Sequence, residues 1–104
     1  MNKCLVVYKL VAPNSVEKGT LTIPAGGLSI AKTCLHAACI PDAYCMIMVD
    51  EGGTLESIIE IAHGDYMCDM GFQLGPEYAG LELSLQLVNN TSSPVMMGGD
   101  LSWY

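Results

Sequence analysis

From Leu81 to Leu87 the chain reads Leu-Glu-Leu-Ser-Leu-Gln-Leu, with leucine at every odd position and a polar residue at every even one, before the turn-forming run Asn89-Asn-Thr-Ser-Ser-Pro94. Successive side chains of a strand point to opposite faces. Leu81, Leu83, Leu85 and Leu87 therefore face a core, while Glu82, Ser84 and Gln86 meet water. The segment is a half-buried β-strand.

The neighbouring segments repeat the pattern. Lys3 to Val11 is apolar and β-branched and stops at Ala12-Pro13-Asn14-Ser15, and Gly19 to Ile23 alternates and stops at Pro24-Ala-Gly-Gly27. Ala43 to Asp50 is closed by Glu51-Gly-Gly53, and Tyr66 to Leu74 by Gly75-Pro76-Glu77. Val95 to Tyr104 is the last such segment, with a β-bulge expected at Gly98-Gly99. Two stretches read either way. In 28–38, Ser29 could cap a helix carrying Ile30, Cys34, Leu35 and Ala38, yet Gly26-Gly27 and the small side chains favour a bent strand. In 54–63, Thr54 could cap a helix bearing Leu55, Ile58, Ile59 and Ala62, but the β-branched Ile58-Ile59-Glu-Ile61 favours a strand. The reading is an all-β fold, an antiparallel β-sandwich of about eight strands within one domain, 1–104. Eight is the jelly-roll number, so the sandwich is expected to be jelly-roll-like.

Composition narrows the function. With 104 residues, 51% of them hydrophobic, there is material for one core and not for two. Eleven acidic residues stand against four lysines, Lys3, Lys9, Lys18 and Lys32, with no arginine and a net charge of -7. Nucleic acid is excluded as a direct partner, because backbone binding needs clustered cations. A charged fraction of only 14% leaves apolar surface to be buried against other chains, which points to a homo-oligomer. No run approaches the roughly 18 apolar residues of a membrane span. Cys45-Met-Ile-Met-Val49, for instance, is broken by Asp50 and Glu51. The first residues have too short an apolar run and no small-residue cleavage site, so they read as a strand and not as a signal peptide.

Five cysteines without a CxxC pair read as reduced core thiols. Cys34, His36, Cys39 and Cys45, with His63 and Cys68 further on, are metal-ligand types, but their spacing lacks the tight knuckles of zinc sites and no metal or cofactor is expected. Cys68 with His63, oriented by Asp65 or Asp69, could form a nucleophilic pair. The acidic surroundings would raise that thiol's pKa, so no catalytic residue is assigned. Asp50 with Glu51, and Asp65 with Asp69, could hold calcium but read as solvated turns. The overlapping sequons at Asn89 and Asn90 read as turn composition. Met46, Met48, Met67, Met70, Met96 and Met97 read as core fillers before they read as an adaptable binding surface. Tyr8, Tyr44, Tyr66, Tyr78, Trp103 and Tyr104 could stack on sugars, which gives the alternative of a carbohydrate- or other ligand-binding module.

In its turn-punctuated strands, and in Leu81–Asn90 followed by Val95–Tyr104, the whole chain resembles the small β-sandwich proteins of virus particles: bacteriophage or viral decoration, cement, minor capsid and spike-base proteins. The resemblance is one of architecture and carries no motif from which site residues can be transferred. It implies a non-enzymatic structural protein of the virion, a homo-oligomer with a trimer favoured, seated on the major capsid protein or another virion protein. Met96, Met97, Trp103 and Tyr104 are the interface candidates, since Trp and Tyr are common interface anchors.

Overall fold

The computed structural model describes residues 3–36, 42–51, 54–61, 65–68 and 71–104. Among these residues nine strands form: β1 (Cys4–Val11), β2 (Ser15–Thr22), β3 (Leu28–His36), β4 (Ala43–Glu51), β5 (Thr54–Ile61), β6 (Asp65–Cys68), β7 (Phe72–Leu74), β8 (Glu82–Asn89) and β9 (Val95–Trp103). One 3-10 turn, Pro76–Tyr78, is the sole helical element among the described residues. Both ambiguous stretches are strands where they are described.

The first sheet runs β1-β9-β3-β6, with β7 also on β3, and the second runs β2-β8-β4-β5. Every pairing is antiparallel. β7 meets Leu28–Ile30 and β6 meets Thr33–His36, so the two occupy one interrupted strand position beside β3. The sandwich therefore has two sheets of four positions each, and the chain passes between sheets at nearly every connection. This strand order is that of a jelly roll.

Alternation places the core between the sheets. Leu83, Leu85 and Leu87 of β8 are fully buried, as are Ile47 and Val49 of β4 in the same sheet. They pack in one cluster with Val11, Ile30, Leu35, Met97 and Leu101 of the first sheet. In β3 the inward residues are Leu28, Ile30, Thr33 and Leu35, because the register slips between Ile30 and Lys32. One extra residue there shifts the side-chain parity.

That slip also corrects the expected bulge. β9 runs through Gly98 and Gly99 in unbroken register with β1, so the irregularity sits on β3 and not at the glycines. The glycines are needed for space. A Cβ on Gly98 would lie 2.0 Å from Cδ1 of Tyr8, and one on Gly99 would lie 2.8 Å from Cδ2 of Leu35.

Candidate functional site: the outer face of the first sheet

In β1 the inward residues Val7 and Val11 alternate with Val6, Tyr8 and Leu10, which point away from the core. Register sets Leu10 opposite Met96, Tyr8 opposite Gly98 and Val6 opposite Asp100 on the outer face of β9. Val6, Tyr8, Leu10 and Met96 are 57%, 49%, 65% and 61% exposed. They form an apolar surface on an edge strand and its immediate neighbour, where a monomer gains nothing from them.

Tyr8 organises the middle of this face. Its ring occupies the space left by Gly98, and its hydroxyl donates to Asp100 Oδ2 at 3.4 Å. Burial raises the Tyr8 pKa above the ordinary tyrosine value, and the Asp100 charge and Cys34 raise it further. Cys34 stands opposite Asp100 and His36 opposite Gly98, so β3 continues the face with polar residues. Tyr8 is thereby a protonated hydrogen-bond donor fixed on an otherwise apolar strip.

A second feature lies at the other end of the sheet. Ser29, Phe72, Gln73 and Tyr104 line an open cleft of about 550 Å³, and Gln73 Nε2 donates to Ser29 Oγ at 3.2 Å. The Tyr104 backbone N–H donates to Ser29 O at 3.2 Å and anchors the residue at the cleft.

The four interface candidates are divided by this geometry. Met96 points outward, but Met97 beside it is fully buried in the core and offers no surface. Trp103 is half-buried against the core, and Tyr104 is exposed at the cleft. Met96 and Trp103 are seven residues apart on one strand, about 24 Å, so they do not make one patch. The sequence does not single out Val6 and Leu10, and marks Tyr8 only as a candidate sugar-stacking aromatic, because an apolar run shows that a strand has buried neighbours but not that one of its faces is left bare.

The cysteine cluster does not converge either. Cys34 is on the outer face of the first sheet, whereas Cys45 is buried between the sheets, its thiol 3.4 Å from His36 O and 3.7 Å from Gly98 O. Burial pushes the Cys45 thiol up. Among the described residues no group of three or more His, Cys, Asp or Glu side chains is placed to hold a metal ion. Cys39 and His63, and the side chains of Asp50, Glu51, Asp65, Cys68 and Asp69, lie outside the described residues. Asn89 is buried with its amide hydrogen-bonded, which closes that sequon in the folded chain; Asn90 is exposed.

Comparison of the chain with protein-family models and with curated proteins returns no match.

Proposed function

We propose that this chain is a non-enzymatic assembly subunit, a jelly-roll building block that works by burying the outer face of its first sheet against other protein subunits. The observation that carries the reading is the exposed strip of Val6, Tyr8, Leu10 and Met96. Four large apolar side chains held in register on a rigid sheet are stabilised only when another surface removes them from water, at roughly 25 cal/mol per Å² covered. Jelly rolls serve as virus capsid and lectin domains. By that analogy of architecture, the setting proposed is a virus or phage particle, with the chain as a decoration, cement or minor capsid component.

Native mass spectrometry and light scattering of the purified protein test the assembly. The expected result is a closed homo-oligomer that dissociates when Met96 or Leu10 is changed to lysine, with the circular dichroism spectrum of the fold unchanged. A wild-type chain that stays monomeric at all concentrations, with no change on substitution, overturns the reading.

The cleft favours one alternative. Tyr104 is exposed at the cleft beside the polar Gln73 and Ser29, an aromatic ring next to hydrogen-bonding groups of the kind that hold a sugar. Binding on a glycan array that is abolished by Tyr104→Ala would establish that second reading; an empty array would remove it.

A further inference from the structure

The four sheet edges are not alike. β2 carries Glu17, Lys18 and Gly19, β5 has a register slip against β4, and the β6/β7 position is broken into two short pieces. Charges, irregularities and short length are the devices that keep edges from pairing with other chains. β1 has the fewest of them, a single lysine. It is eight residues long, free of proline and glycine, and in unbroken register with β9. Its one charge, Lys9, lies on the Val7 and Val11 side of the strand, exposed and paired with Glu17 of β2 at 3.4 Å, so it leaves the outer face of β1 uncharged. Among the described residues no strand pairs with the other side of β1.

The face beside that edge is also electrically unlike the rest of the molecule. The outward positions of β1, β9 and the stretch of β3 from Lys32 to His36 include one acid, Asp100, and one lysine, Lys32, which cancel. The chain as a whole carries -7. Two copies of so acidic a molecule repel one another over most of their surface, and this neutral apolar strip is where like charge does not oppose contact. A strongly basic partner would find nothing to attract it there.

We infer that β1 of one copy pairs antiparallel with β1 of a second copy about a two-fold axis, joining the two first sheets into one continuous sheet. An eight-residue edge is about 27 Å long, enough for a full ladder of backbone hydrogen bonds. Val6, Tyr8 and Leu10 of the two strands then become neighbours on one face. The contact is isologous and closes at two copies. It rests on the assembly reading above and names the partner and the geometry for it.

The experiment uses the full chain in two steps. Light scattering gives the subunit number, and p-benzoylphenylalanine is then placed at Tyr8 or at Leu10 for photo-crosslinking in a mixture of 14N and 15N protein. Mass spectrometry distinguishes crosslinks between copies. A dimer is expected, with the probe at Tyr8 reaching the partner's Tyr8 in the middle of β1 and the probe at Leu10 reaching Val6 near its beginning, because antiparallel strands run in opposite senses and opposed residues share a face. Leu10→Lys, at a position exposed enough to leave folding intact, is expected to weaken dimerisation at least tenfold. A trimer, or an oligomer whose crosslinks avoid β1, overturns the two-fold edge contact while leaving the assembly reading standing. A monomer overturns both.

Discussion

The side-chain amide nitrogen of Asn89 lies 3.0 Å from the carbonyl oxygen of Val11, so a residue of β8 in one sheet ties down the end of β1 in the other. The same nitrogen is 3.2 Å from Ala12 O and 2.9 Å from Ser93 O, and the Asn89 oxygen accepts from the Thr91 N–H at 2.9 Å and from its hydroxyl at 2.6 Å. One buried side chain thus closes the turn before β9 and fixes the corner between the sheets.

Asn89→Ala strips those partners and takes the amide donor from the buried Val11 carbonyl and from the part-buried carbonyls of Ala12 and Ser93. A destabilisation of about 2–3 kcal/mol is expected in urea unfolding. Asn89→Asp is expected to be at least as damaging, because a carboxylate would face three carbonyl oxygens. Thr91→Val, which removes only the hydroxyl part of the network, should cost about 1 kcal/mol. Equal losses for Thr91→Val and Asn89→Ala would mean that the tie to Val11 contributes nothing.

Thr33 presents the opposite case. Its hydroxyl is fully buried and has no hydrogen-bond partner among the described residues. Valine has nearly the same shape and no polar atom to desolvate. Thr33→Val is therefore expected to stabilise the fold by about 1 kcal/mol, seen as a rise in Tm of several degrees. A fall in Tm would show that the hydroxyl is bonded in solution.

These residues show what could be read in the sequence and what could not. The alternation of Leu81 to Leu87 assigns faces locally, and the structure buries Leu83, Leu85 and Leu87 as that pattern requires. Ser84, expected to meet water, is buried as well, and Leu81 is only partly covered. Face assignment within one strand says nothing about which strands lie at an edge, so exposed Val6 and Leu10 looked like core. Asn89 sits in a run of turn-forming residues, and its partner Val11 is 78 positions away, a contact that no local pattern announces. Gly98 and Gly99 signalled an irregularity, but the reason for them is the Tyr8 ring on one side of the sheet and Leu35 on the other. Long-range register, and not propensity, decided each of these.

The Tyr8–Gly98 fit gives a direct test of that register. An added methyl at Gly98 would overlap the Tyr8 ring, and the ring must leave its position over β9 to admit it. Gly98→Ala is expected to cost about 2 kcal/mol, within the range for overpacking. In a Tyr8→Ala background the same change should cost much less, giving a coupling of at least about 1 kcal/mol in a double-mutant cycle. Additive effects would place the ring elsewhere.

Alkaline pH tests two groups among the described residues whose protons the fold retains. Burial raises the Cys45 thiol above its ordinary 9.0, and burial followed by the Asp100 charge raises Tyr8 above 10.0. In each case the unfolded chain releases the proton first, so between the unfolded and folded pKa values the native state binds more protons and stability falls as pH rises. The contribution is fully present below pH 9 and is lost in two stages, starting near pH 9 for Cys45 and near pH 10 for Tyr8. Urea unfolding from pH 7 to 11 under reducing conditions should show a steepening decline. Cys45→Ala, although less stable at neutral pH because it leaves a cavity, should lose less between pH 9 and 10 than the wild type. Tyr8→Phe should flatten only the part above pH 10, since Tyr8 is half exposed and solvent screens its pairing with Asp100. A wild-type profile with no decline up to pH 10 would mean that the Cys45 thiol is not held protonated between the sheets.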